Sequence, residues 1–139
     1  MVHVYLGLSG SGKTREMIRA INEAADSSNG SVVCIENGNK LRYDVNYRIR
    51  LIEYGVYGLQ GVDQLKAFIS GLHAGNFDIT HIFIKSIHRL LGTDDGNALA
   101  DFCDWCQRFG EANGVDFAMT ARQDPAQAPD RLKKYWKQI

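Results

Sequence analysis

"VYLGLSGSGKTREMI", Val4–Ile18, joins three local patterns in one short stretch. Val4 to Leu6 continue the run "VHVYL", which is short, rich in branched and aromatic residues, and stopped by Gly7, as expected of a strand. From Lys13 to about Ala25, Met17, Ile18, Ile21 and Ala24 or Ala25 recur at the spacing that lines one face of a helix. Between them, Gly7-Leu8-Ser9-Gly10-Ser11-Gly12-Lys13-Thr14 satisfies G-x-x-x-x-G-K-[ST]. Glycines at 7, 10 and 12 permit positive φ and place no β-carbon in the way, so consecutive backbone N–H groups can curl around an anion. A helix opening near Lys13 adds free amides and the positive end of its dipole. The stretch therefore predicts a phosphate cradle in which Lys13 reaches the outer phosphates and the Thr14 hydroxyl ligates Mg²⁺. The competing reading, a glycine-rich turn with an accidental Lys-Thr, is disfavoured by the strand before it and the helix after it.

Outward from this stretch, strand and helix patterns alternate. "SVVCIE" is a near-continuous apolar run, the signature of a strand covered on both faces of a parallel sheet. Tyr43, Val45, Tyr47, Ile49 and Leu51 alternate with polar residues, which predicts a half-exposed strand from Tyr43 to Leu51, at a sheet edge. "EYGVYGLQG" is too rich in glycine for a helix and reads as a turn or mobile segment. Val62, Leu65, Phe68, Ile69 and Leu72 define a helix that closes near Gly75. "ITHIFIKSI" is the next buried strand, and Ala98–Asn113 a helix with Leu99, Phe102, Cys103, Cys106 and Phe109 on one side and Gly114 as its cap. "VDFAMTAR" is a further strand, and "PDRLKKYWKQI" a basic terminal helix with Leu132, Tyr135 and Trp136 packed inward. The order predicts an α/β fold, a three-layer sandwich with a mainly parallel sheet. No repeat or linker divides it, so residues 1–139 form a single domain.

Composition sets bounds on function. At 139 residues with 45% hydrophobic content the chain can build one core without staples. Sixteen Lys and Arg balance sixteen Asp and Glu, which argues against coating nucleic acid or anionic membrane through bulk charge. Cys34, Cys103 and Cys106 show no disulfide framework, and the expected setting is reduced and cytoplasmic. No apolar run approaches the roughly 20 residues that span a bilayer, and "MVHVYLGLSG" lacks the positive flank of a signal peptide.

On the complete motif in its strand and helix setting, the chain resembles the P-loop NTPase superfamily. The motif covers a small fraction of the chain, and the alternating elements extend a weaker resemblance across it. The resemblance implies a nucleoside triphosphate, ATP or less favourably GTP, with Mg²⁺. It assigns nucleotide binding to Gly7, Ser9, Gly10, Ser11, Gly12, Lys13 and Thr14, with Thr14 also on the metal. Neither an N-K-x-D guanine signature nor an obvious adenine pocket identifies the base.

The family pattern breaks at "HIFIKSI". Most such proteins end this strand in an acidic residue that holds the magnesium shell. Here the position carries Lys85, followed by Ser86. Three readings follow: Lys85 points to solvent or pairs with Asp78 or Asp94 and marks a degenerate hydrolysis site; Glu36, after the second buried strand, serves the metal instead; or Asp94 or Asp95 contributes from a loop. In "DFAMTAR", Thr120 resembles the small polar residue that senses the terminal phosphate in the AAA-like and RecA-like branch. Arg122 offers positive charge to a developing phosphate anion. Each has a plain alternative, a strand-end filler and a surface charge.

Two other functions stay open. One is a small nucleoside or metabolite kinase, with Glu36 as the base that accepts a hydroxyl proton and a second substrate near Tyr43 to Gly61. The other is a nucleotide-regulated interaction module that associates with DNA, a protein partner or itself through its edge strand. Lys40, Arg42, Arg48 and Arg50 interleaved with Tyr43 and Tyr47 would suit nucleic acid by charge and stacking, although an amphipathic edge strand shows the same pattern. Cys103 and Cys106 read as core residues rather than zinc ligands, because no second pair accompanies them. His73, His81 and His88 read as structural, with His88 close enough to the broken strand to remain a weak site candidate.

Overall fold

The computed structural model describes all of Met1–Ile139. Its strands are β1 (Val2–Gly7), β2 (Ser31–Glu36), β3 (Arg50–Glu53), β4 (Ile79–Ile84) and β5 (Asp116–Arg122). The helices are α1 (Lys13–Ser27), α2 (Gly61–Gly75), α3 (Ile87–Leu91), α4 (Gly96–Asn113) and α5 (Asp130–Lys133). The strands form one sheet in the order β1-β5-β4-β2-β3, and every pairing is parallel. The expected α/β architecture is therefore present, with a sheet parallel throughout rather than mainly so.

Alternation along each strand sorts the core into two layers. Val4, Leu6, Val33, Ile35, Ile82, Ile84, Phe117 and Met119 share one apolar cluster with Leu65 and Ile69 of α2, Ile87 of α3, and Phe102, Cys103 and Cys106 of α4. Tyr5, Val32, Cys34, Phe83 and Ala118 face the other way and pack on Met17, Ile21 and Ala24 of α1. Near-continuous apolar strands are what this double burial demands. Gly114 ends α4 at φ 69°, as its placement after the periodic run predicts.

Three elements differ from expectation. The strand expected over Tyr43–Leu51 is confined to Arg50–Glu53 at the sheet edge, preceded by a 3₁₀ turn at Lys40–Tyr43. Burial there recurs every four residues, at Leu41, Val45 and Ile49, while Tyr43 and Tyr47 point to solvent. The backbone of this segment is held by a side chain instead of a ladder: Asn22 of α1 donates to the Asp44 carbonyl at 3.0 Å and accepts from the Asn46 N–H at 2.8 Å. The terminal helix is cut to Asp130–Lys133 because the following residues run alongside β1. The Val4 N–H donates to the Tyr135 carbonyl and the Lys137 N–H to the Val4 carbonyl, which satisfies backbone groups on the open edge of β1. Leu132, Tyr135 and Trp136 do pack inward. Finally, the strand expected over "ITHIFIKSI" ends at Ile84, and Ile87 instead opens the short helix α3. No helix is long and apolar enough to cross a membrane.

Candidate functional site

In a parallel sheet the loops after the strands gather at one end, so the segments following β1, β5, β4 and β2 converge. Gly7 at the end of β1 is the register partner of Arg122 at the end of β5. The loop leaving β1 turns on Gly10 (φ 79°) and Gly12 (φ 92°), in the left-handed region that favours glycine. Gly7 is required for a different reason, since a β-carbon there would collide with the Ser11 side chain. The Ser11 N–H donates to the Leu8 carbonyl and the Gln123 N–H to the Gly7 carbonyl, which fixes the loop against the end of β5.

Gly12 caps α1 without a side-chain acceptor, so the first-turn amides stay unclaimed by any cap. Lys13 folds back over the loop and donates to the Leu8 carbonyl at 3.1 Å. Burial, and then the nearby Arg122 charge, lower its pKa from the usual lysine value. Thr14 is exposed in the first turn, with Ser9 and Ser11 exposed on the loop before it. The arrangement is a glycine-turned loop leading into uncapped helix amides beside one ammonium, chemically suited to an anion.

The end of β5 supplies the second group. Thr120 is only 2% exposed, and its hydroxyl accepts from the Ser86 N–H at 2.7 Å. Its own O–H proton remains free to donate. Ser86 is the one non-glycine residue with positive φ, at 56°. The Arg122 guanidinium pairs with Asp94 at 3.3 Å, and the Arg122 N–H donates to His88 Nδ1 at 3.1 Å. Neutral His88 therefore carries its proton on Nε2. Burial lowers the His88 pKa, opposed by Asp94 and assisted by Arg122, Arg89 and Lys13.

The third group joins β4 to β2. Lys85 pairs with neither Asp78 nor Asp94, nor is it a solvent-facing charge; its Nζ stands 3.7 Å from Glu36 Oε1. Glu36 is 1% exposed, and its Oε2 accepts from the Leu41 N–H at 3.3 Å. Asp95 is committed as well, since its carboxylate caps α4 by accepting from the Asn97 N–H at 3.0 Å. No group of three His, Cys, Asp or Glu side chains is arranged to hold a metal ion. The magnesium implied by the resemblance would find the Thr14 hydroxyl, but an ammonium where a carboxylate should hold its water shell. The residues present do not fit a carboxylate-anchored magnesium.

Loop, Lys13, Thr14, Thr120 and Arg122 thus lie at one end of the sheet, with Glu36 and Lys85 along the same rim. Sequence reasoning missed the αL turn at Ser86 and the Arg122–Asp94 pair, for which no local signal exists, and gave His88 only a weak place. A groove of about 410 Å³ borders the loop, lined by Leu8, Ser11, Pro125, Trp136 and Ile139 among others. A separate cleft of about 320 Å³, among His3, Tyr5, His81, Phe83 and Asp116, lies toward the other end of the strands. Cys103 and Cys106 are fully buried, and burial pushes the Cys103 thiol up to about 12, consistent with core packing. No known family model matches the chain, and no curated protein matches it either.

Proposed function

We propose that this chain binds a nucleoside triphosphate, ATP ahead of GTP, through Gly7 to Thr14 and works as a nucleotide-dependent sensor or assembly module with slow turnover or none. The observation that carries the reading is the loop itself: Gly10 and Gly12 in left-handed conformation deliver the chain into an α1 whose first amides have no side-chain cap. Lys13 and the amides would hold phosphate. Thr120 would donate its free proton to the terminal phosphoryl, and Arg122, whose pair with Asp94 occupies one guanidinium nitrogen, would stabilise charge there with the others. The apolar groove past Leu8 and Pro125 offers room for a base.

Calorimetric titration with ATP and with GTP, on wild type and Lys13→Ala, tests the reading. Loss of one charge-assisted contact should weaken binding about 10- to 100-fold. Equal affinities for the two proteins, or no binding to wild type, would overturn it. The kinase alternative fares less well, because the Glu36 carboxylate is already engaged by the Leu41 N–H and faced by Lys85.

A second reading, contact with single-stranded nucleic acid, draws on the exposed rings of Tyr43 (78%) and Tyr47 (93%) among Lys40, Arg42, Arg48 and Arg50. Bases stack on such rings while arginines meet phosphates. Fluorescence anisotropy with a labelled oligonucleotide, repeated on Tyr43→Ala/Tyr47→Ala, tests it, and unchanged anisotropy in wild type would dismiss it.

A further inference from the structure

We propose that the phosphates in this site are held without a divalent cation, the Lys85 ammonium supplying the charge that magnesium would otherwise bring. The inference rests on the nucleotide-binding reading above.

Three observations lead to it. The first is the placement of Lys85. It follows β4 directly, on the same side of the sheet as Phe83, which packs in the α1 layer. Its N–H donates to the Ile35 carbonyl at 3.0 Å, so the backbone stays in the ladder and the side chain is kept on the α1 side, where phosphate would sit.

The second is the state of Glu36. A buried carboxylate needs a partner charge, and Lys85 is that partner. Yet 3.7 Å is too long for a hydrogen bond, and Glu36 Oε1 accepts none. The pair therefore stabilises a positive charge at the end of β4 while leaving the three ammonium donors uncommitted to Glu36.

The third is the order of charges along the sheet. With β1-β5-β4-β2-β3 and strands about 4.8 Å apart, Lys85 stands about 10 Å from β1, Glu36 about 14 Å and Glu53 about 19 Å. The strand that leads into the cation is thus nearer the loop-bearing strand than either strand that ends in a carboxylate. On the other flank Asp94 is engaged by Arg122 and Asp95 by α4. Magnesium keeps a strict octahedron of oxygens, and at the end of β4 it would meet an ammonium in place of a carboxylate.

The test is ATP binding by wild-type protein in EDTA against the same titration in excess Mg²⁺. We expect metal-free affinity within about threefold of the magnesium value, or tighter. Binding that falls tenfold or more in EDTA, on the order of one decade of affinity, would overturn this inference and leave the nucleotide reading standing. Absence of binding in both buffers would overturn the nucleotide reading itself. Lys85→Met should selectively weaken metal-free binding, by about tenfold or more, and change binding in Mg²⁺ less. Because that variant strands a buried carboxylate, Lys85→Met/Glu36→Gln removes both charges and keeps the shapes. If this folded double variant binds metal-free ATP as wild type does, Lys85 has no such role.

Discussion

The Thr120 hydroxyl accepts a 2.7 Å hydrogen bond from the Ser86 N–H, tying the end of β5 to the turn that leaves β4. Ser86 takes a left-handed conformation that costs a side-chain-bearing residue roughly 1–2 kcal/mol. The hydrogen bond helps to hold that turn, and so sets the direction in which Lys85 leaves the strand. Thr120→Val keeps the shape but removes the acceptor, and should lower stability by about 1–3 kcal/mol in urea unfolding, the cost of an unpaired buried donor. Ser86→Gly suits the backbone and should stay within about 1 kcal/mol of wild type or exceed it. A Thr120→Val variant as stable as wild type would show that this hydrogen bond makes no net contribution to stability.

Two helical glycines should respond in opposite directions. Gly71 of α2 is exposed, and a β-carbon there meets nothing within 4 Å. Gly71→Ala should stabilise by about 0.5–1 kcal/mol through helix propensity. Gly110 of α4 is buried against the Val115 carbonyl, which a β-carbon would strike. Backbone cannot swing aside as a flexible side chain can, so Gly110→Ala should cost about 1–3 kcal/mol. Thermal unfolding of the two variants side by side checks the contrast, and a shift of the same sign in both would contradict it.

What could be read from the sequence follows from what is local. Strands β1, β2, β4 and β5 are short apolar runs bounded by glycine or polar turns, and α1, α2 and α4 have one apolar face each, so their existence and order were legible. The loop was legible because its glycines answer to local φ requirements and local crowding, as at Gly10, Gly12 and Gly7. The segment from Tyr43 to Leu51 misled because alternation of polar and apolar residues does not say which apolar residues are buried; Asn22 of α1 decided that. The Lys85–Glu36 pair was hidden because it depends on β2 and β4 lying side by side, which is a property of the whole sheet order. The same is true of α5, cut short by the backbone of β1.

Stability should fall as the solution turns mildly acidic. His3, His81 and His88 all have pKa values lowered from 6.5, in each case first by burial. Asp116 opposes the shift at His3 and His81, and Asp94 opposes it at His88, where Arg122, Arg89 and Lys13 reinforce it. Well above 6.5 these rings are neutral folded or unfolded, and they contribute no slope. Below it the unfolded chain takes up protons that the folded chain resists, so stability is lost as pH drops from 6.5 toward the lowered values. The Asp104 carboxyl, held below its usual 3.8 first by the Tyr135 hydroxyl and also by Arg131, acts in the same direction but only in stronger acid. Urea midpoints measured from about pH 7.5 down to pH 5 isolate the histidine window. Wild type should lose midpoint steadily across it, and a variant carrying His3→Gln, His81→Gln and His88→Gln should lose less. Glutamine at position 88 keeps an acceptor for the Arg122 N–H, so a flattened profile would report titration and not a broken contact. Parallel profiles for the two proteins would place the acid sensitivity outside these three rings.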